Sequence, residues 1–330
     1  MSHAPVMLTE VLESLAPKAD EVYVDGTFGG GGYTQAVLQA ANCKVVGIDR
    51  DLDAITRAER LAAQNERFTP ILGRFGDLDA QLLNAGIESI DGLMLDIGVS
   101  SYQLDQAERG FSFMREGPLD MRMGQTGPSA ADVINYMPQA DLVRVIRSFG
   151  EEKQARRIVH AIADRRRVRP FTQTLDLADL VETTLGGRRG RKTHPATQTF
   201  QAIRIYVNDE LGELARGLEA AERMLAAGGR LVVVTFHSLE DRLVKQFLRQ
   251  RSGGNGQGSR YRPAIERKVE PSFELSHRKA LLPSEADRDG NPRARSARLR
   301  AAIRLPTPAW TAPFETGFSL PPLTALEVPA

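Results

Sequence analysis

The sequence predicts an α/β fold in which a doubly wound, mostly parallel sheet is interrupted by an inserted all-helical domain. Three observations predict it. A short apolar run, Val22 to Val24, ends in Asp25 and breaks into glycines at 26 and 29–32, and a helical pattern follows from about Thr34. Two further apolar runs end the same way, in Asp49 and Asp96. Between about 126 and 207 the alternation of strand and helix patterns stops, and only helical periodicity remains.

Taken in order, residues 9–15 read as a first helix with Thr9 as N-cap. Strands at 22–24 and 44–48 follow, then a helix over 53–63 carrying Ile55, Ala58, Leu61 and Ala62 at helical spacing. Residues 69–72 form a third strand, with Phe75 in the loop at its carboxyl end, where an aromatic ring can lie beside an adenine. Residues 92–96 form a fourth. The stretch 105–123 has no regular pattern. Helices are expected from Leu142, Val145, Ile146 and Phe149, from Ile158, Val159 and Ile162, from Leu177 and Val181, and after His194-Pro195. A helix over 209–226, stopped by Gly228-Gly229, leads to a continuous apolar strand at 231–236, which suits a buried parallel position. A helix over 238–250 and weaker strands at 264–269 and 299–305 complete the pattern. Residues 306–330 hold six prolines and little periodicity, and read as a loosely attached tail.

The ligand can be narrowed from the residues. Glycines at i, i+2 and i+5 mark a dinucleotide site, but from Gly29 the last position is Thr34 and from Gly30 it is Gln35. The loop has no lysine, as a triphosphate loop requires. Asp25 would repel a pyrophosphate and suits an ammonium group. Asp49, twenty residues after Gly29, can accept hydrogen bonds from two ribose hydroxyls. A ribose and an ammonium without a phosphate describe S-adenosylmethionine better than NAD or ATP.

Composition sets bounds. With 42% hydrophobic and 26% charged residues the 330-residue chain has the balance of a globular protein. It shows no membrane-length apolar run and no signal-peptide core, so a cytoplasmic location is expected. Cys43 is the only cysteine, and the five histidines lack metal-ligand spacing, so no disulfide or metal site is expected. The net charge of +1 conceals an asymmetry. Residues 1–100 carry 7 Lys+Arg and 15 Asp+Glu, and the remainder carries 36 and 27. A polyanion is therefore expected to meet the remainder, with Arg165, Arg166, Arg167, Arg189 and Arg191 as its candidate contacts.

Five stretches strongly resemble one bacterial family. They are Asp25-Gly26-Thr27-Phe28-Gly29-Gly30-Gly31-Gly32, Leu95-Asp96-Ile97-Gly98-Val99-Ser100-Ser101, Glu108-Arg109-Gly110-Phe111-Ser112-Phe113-Met114-Arg115, His194-Pro195-Ala196-Thr197-Gln198-Thr199-Phe200-Gln201-Ala202-Ile203-Arg204-Ile205 and Thr235-Phe236-His237-Ser238-Leu239-Glu240-Asp241-Arg242. The family is the bacterial ribosomal small-subunit (16S) rRNA cytosine-N4 methyltransferases, which use S-adenosylmethionine. The resemblance runs from about residue 3 to 305. It implies a class I (Rossmann-like) methyltransferase fold with an inserted helical substrate domain. It also implies methylation of the exocyclic N4 of a decoding-centre cytidine, position 1402, in the 16S rRNA of the small subunit or its precursor, with no membrane partner. It leaves room for a homodimer and for another RNA amino group as acceptor. Cofactor contacts fall, by resemblance, on Gly31, Gly32, Tyr33, Asp49, Phe75, Asp96 and Gln103. Relatives commonly have His at position 33 and a residue larger than glycine at position 30; main-chain contacts survive both changes.

The expected division is therefore 1–125 and 208–305 for the methyltransferase domain, 126–207 for the helical insertion, and 306–330 for the tail. The acceptor dictates further candidates. A cytosine amino group must be held by acceptors aimed at its protons. The Asp/Asn-Pro-Pro-Tyr tetrad that other amino methyltransferases use is missing, so Asp96, backbone carbonyls of its loop, Ser100 and Ser101 are the candidates. A role for Asp96 toward the cofactor alone stays open. Tyr102, Phe111 and Phe113 could stack on an extruded base, or be core. Two rival classes are a nicotinamide-dependent oxidoreductase, disfavoured by the failed fingerprint, and a non-catalytic RNA-binding assembly factor, disfavoured by the three strand-end acids.

Overall fold

The computed structural model describes residues 5–124, 126–188, 190, 193–253 and 269–328, the side chains of Ser101, Pro292 and Arg293 excepted. Arg189, Arg191 and residues 264–268 of the expected strand lie outside them. The chain divides into two compact units: residues 1–98 with 211–316, and residues 99–210 with 317–330. The irregular stretch after residue 98 thus belongs with the helices, so the insertion begins earlier than the 126 expected from periodicity.

The first unit is built on a seven-stranded sheet of order β3-β2-β1-β4-β5-β7-β6. The strands are β1 (Val22–Asp25), β2 (Lys44–Asp49), β3 (Phe68–Leu72), β4 (Ile90–Asp96), β5 (Leu225–Thr235), β6 (Phe273–Leu275) and β7 (Arg298–Arg304). β1 pairs in parallel with both β2 and β4, and β4 pairs in parallel with β5. β7 runs antiparallel to β5 and to β6. The chain winds outward from β1 in one direction through β2 and β3, and in the other through β4 and β5. The carboxyl ends of β1 and β4 therefore flank the switch point where ligands bind in such sheets.

The flanking helices are α1 (Leu8–Leu15), α2 (Gly32–Ala40), α3 (Leu52–Ala62), α4 (Leu78–Asn84), α11 (Glu210–Met224), α12 (Ser238–Arg251) and α13 (Glu285–Gly290). α3 is capped by Asp51, whose side chain accepts from the Asp53 amide. α1 starts from Met7 in the left-handed region with no side-chain cap, so Thr9 lies inside the helix and not at its cap. β5 begins directly after α11 and runs through Gly228 and Gly229, a pair that reads in the sequence as a helix stop. The short edge strand β6 has only three residues, too few for a periodic signal.

The second unit holds α5 (Ser101–Asp105), α6 (Ala130–Tyr136), α7 (Gln139–Gly150), α8 (Ala155–Val168), α9 (Thr174–Thr184) and α10 (Thr197–Asn208). The expected apolar faces are buried: Leu142, Val145, Ile146 and Phe149 on α7, and Ile158, Val159 and Ile162 on α8. α7 and α10 approach closely at Gly150, where an added Cβ would lie 2.5 Å from the Gln198 carbonyl oxygen. The irregular stretch is pinned by buried Asn208, whose amide accepts from Met123 N at 2.7 Å and donates to the Met121 carbonyl at 2.7 Å.

The proline-rich end is not loose within the described residues. In the first unit, Trp310 N donates to Glu222 and Arg251 donates to the Ala312 carbonyl. The Phe314 ring meets Phe247 edge-on at 5.3 Å. In the second unit, Phe318 packs on Phe149 and Tyr206 donates to the Pro321 carbonyl at 2.9 Å. Proline removes periodicity from the sequence but does not prevent such side-chain anchoring.

Candidate active site

The glycine loop is held open by its neighbours. Asp25, 1% exposed, accepts from Thr27 N at 3.2 Å and from the Thr34 hydroxyl at 2.7 Å. Burial pushes its carboxyl up to about 6, against those two bonds, and the Asp49 charge adds to the rise. Gly29 and Gly31 have φ of 52° and 74°, in the left-handed region that glycine enters freely. A Cβ on Gly31 would lie 2.6 Å from the Phe28 ring. The first turn of α2 leaves amide groups with no intrahelical acceptor, as a helix start does.

Asp49, the acid that ends β2, is engaged by the loop. Its Oδ2 accepts from Gly29 N at 2.7 Å and its Oδ1 from Asp51 N at 2.9 Å. Burial raises its pKa, and these bonds partly offset that. It organises the loop, and the second lone pair of each oxygen remains for a ribose. Tyr33 points elsewhere: its side chain is buried in the core cluster and donates to the Val6 carbonyl, so only its main chain is left for a ligand. Phe75 starts a 3-10 turn after β3, with its ring against Gly217 of α11, where a Cβ would approach to 2.6 Å.

Asp96 ends β4. Its amide donates to the Thr27 hydroxyl at 2.7 Å, which ties β4 to the glycine loop. Its Oδ1 is sealed from solvent and has no hydrogen-bond partner. Burial, then the charges of Asp25 and Glu240, push its carboxyl up to about 8. A buried acceptor without a donor costs free energy, about 1–3 kcal/mol or more when charged, so this oxygen is built to receive something.

Three contributors are not among the site residues expected from the sequence: Thr27, Thr34 and Glu240. Glu240, fully buried at the start of α12, accepts from Phe236 N at 2.8 Å and His237 N at 3.2 Å. His237 accepts from Glu240 N in return. This reciprocal cap fixes the chain leaving β5, and an N-cap followed three residues later by Glu is a readable signal.

The remaining candidates fall in the second unit. Ser100 and Gln103 form a capping box for α5, with Ser100 Oγ accepting from Gln103 N and Gln103 Oε1 accepting from Ser100 N. Ser101 is the first residue of α5. Phe111 is buried, and Phe113 packs on His194 and Phe200 at 4.5 and 4.7 Å, so both serve the core. Tyr102 is exposed. Arg166 donates to the Ile134 and Met137 carbonyls at 2.7 and 2.9 Å, and Arg165 binds Asp176 at 2.6 Å; Arg167 is exposed. Cys43 is buried, its thiol against the Val37 carbonyl.

The sheet order, the reversed β7 and the acid-lined glycine loop define a class I methyltransferase, and the site suits its donor. The loop offers close backbone approach and no phosphate-binding lysine, and an orphaned carboxylate oxygen stands at the switch point. Comparison with known proteins identifies the particular family. The model of the MraW methylase family matches residues 1–305, and the chain belongs to that family. It is 62% identical over 325 residues to the ribosomal RNA small subunit methyltransferase H of Hyphomonas neptunium, covering 98% of this chain and 95% of that protein. The proteins of the same name from Caulobacter vibrioides and Maricaulis maris are 55% and 52% identical, with 94% and 98% of this chain and 98% of each relative covered. The methyl donor is S-adenosylmethionine.

Proposed function

We propose that this chain transfers a methyl group to the exocyclic N4 of the decoding-centre cytidine at position 1402 of the 16S rRNA, in the small subunit or its precursor. The substrate places it in the cytoplasm, and among the described residues no helix is long and apolar enough to cross a membrane. The observation that carries the reading is the sealed, unpartnered oxygen of Asp96 at the end of β4. S-adenosylmethionine supplies an electrophilic methyl carbon on a positively charged sulfur. An amino nitrogen conjugated into a pyrimidine ring is a poor nucleophile, so catalysis rests on holding it in line, about 3 Å from that carbon. Asp96 accepts from one amino proton and orients the nitrogen, while Thr27, through the Asp96 amide, fixes the strand end. Methylation at ring carbon 5 by covalent attack would need a thiolate. The single cysteine, Cys43, is buried at the start of β2 with its pKa raised by burial, which favours an exocyclic nitrogen over carbon 5.

Gly31, Gly32 and the main chain of Tyr33, with Asp49, Phe75 and Asp96, form the cofactor side in this reading. Arg167 and its exposed neighbours on α8 meet the RNA backbone. The test is nucleoside analysis of small-subunit RNA from cells with and without the gene. Loss of N4-methylated cytidine at position 1402 supports the reading; an unchanged position 1402, with a methyl lost elsewhere, would move the acceptor.

A further inference from the structure

The carboxylates at the switch point are arranged in a way that methyl transfer alone does not require. Asp25 on β1 and Glu240 on α12 are both buried, and both place negative charge around Asp96. From α2, the buried Tyr33 phenol is a third titratable group within reach of the Asp96 charge. Asp49 on β2 bears on Asp25. Among the described residues no cation forms an ion pair with Asp96, and its Oδ1 meets no donor. An ionised carboxylate in such a place needs an outside cation. A neutral ligand leaves it surrounded by like charge, and the carboxyl then keeps its proton.

We propose that Asp96 senses the charge of the cofactor: it is the neutral acid when the site holds S-adenosylhomocysteine and the carboxylate when the site holds S-adenosylmethionine. Binding of the donor breaks the Asp96 O–H bond and releases the proton to solvent, the electron pair staying on the carboxylate. Binding of the product does not. Only with the donor present is Asp96 acceptor-only, and hence suited to a cytosine amino group. Transfer leaves the sulfur neutral and obliges the methylated nitrogen to give up one proton; Asp96 takes that proton up, and its hold on the methylated amino group weakens. The site thereby prefers donor over product and couples that preference to the RNA. The inference rests on placement of the cofactor at the carboxyl ends of β1, β2 and β4.

The test is calorimetry of the full chain with each ligand at pH 7, in buffers of different ionisation enthalpy, which counts protons released. A carboxyl that titrates near 8 is mostly protonated there, so the donor should release roughly 0.9 proton per site and the product close to none. The ratio of donor to product affinity should rise between pH 6 and 8, by up to about tenfold per unit, and level off above about pH 9. Asp96→Asn assigns the proton to this carboxyl: it should abolish the difference between the ligands. Equal proton release by donor and product in the unsubstituted protein overturns the proposal, whatever the variant does. Gly31→Val tests the underlying placement separately. If it binds both ligands as the unsubstituted protein does, the cofactor lies elsewhere and the proposal falls with the placement. If it loses both while the proton counts are equal, the placement stands and only the charge-sensing role falls.

Discussion

At the scale of single residues, two acids that look alike in sequence do different work. Asp49 spends both carboxylate oxygens on backbone amides at 2.7 and 2.9 Å, so it is a loop organiser as well as the proposed ribose acceptor. Asp49→Ala should therefore weaken S-adenosylmethionine binding by on the order of 1.5–3 kcal/mol and also lower the melting temperature of the cofactor-free protein. Calorimetry and thermal melts on the same preparation check both; unchanged affinity would sink the ribose assignment. Asp96 keeps one oxygen in reserve. Asp96→Asn retains an acceptor but introduces an NH2 donor facing the amino protons in some orientations. The single-turnover rate with saturating donor and small-subunit RNA should fall by a larger factor than RNA binding weakens. A rise in KM for the donor with unchanged kcat would instead make Asp96 a cofactor ligand only.

At the scale of elements, α8 divides its arginines between two tasks. Arg166 donates to two carbonyls at the end of α6, and Arg165 pairs with Asp176 and lies over the Phe171 ring at 5.0 Å. These bonds replace water at groups that the helix end leaves unpaired. Lys153, Arg156, Arg157 and Arg167 are exposed around the same helix. Arg166→Ala should cost on the order of 1–3 kcal/mol of stability, read from denaturant melts. Joint replacement of Lys153, Arg156, Arg157 and Arg167 by Gln should leave stability near that of the unsubstituted protein. It should reduce the salt slope of RNA binding by roughly 0.7 for each single-strand phosphate that these side chains neutralise. RNA titrations at several salt concentrations that overlay the unsubstituted protein would make this a solvated face.

At the scale of the whole molecule, the buried acids set the response of stability to pH. Asp25 and Asp96 have folded pKa values of about 6 and about 8, above the unfolded value of about 3.9. The folded state then binds more protons than the unfolded chain between about pH 4 and 8, so stability falls as pH rises through that window, by at most ~1.4 kcal/mol per unit for each group. Asp120 and Asp241 act oppositely. Burial pushes both up, but the guanidinium of Arg122 outweighs it at Asp120 and that of Arg300, with Arg298, at Asp241, so both lie below the usual range. Their contribution is present above about pH 4 and is lost as pH falls further. Melting temperatures of the cofactor-free protein should peak near pH 4 and be lower at pH 8 than at pH 6. Asp96→Asn should flatten the upper limb, and a melting temperature that climbs from pH 6 to 8 would contradict the assignment.

The sequence by itself determined what depends on local periodicity and on residue type. The β1–glycine–α2 opening, the Asp at the ends of β1, β2 and β4, the apolar faces of α7 and α8 and the five long motifs were all legible in it. Alternation and helical spacing are short-range signals, and an acid closing an apolar run is visible without coordinates. Tertiary structure decided the properties that depend on which distant groups meet. Tyr33 reaches back to Val6 across 27 residues, Asn208 to Met123 across 85, and Trp310 to Glu222 across 88, and no window of sequence contains such pairs. The same holds for the sealed oxygen of Asp96. Its chemistry comes from the burial and like charge that Asp25 at the end of β1 and Glu240 at the start of α12 impose, and those elements become its neighbours only in the folded chain.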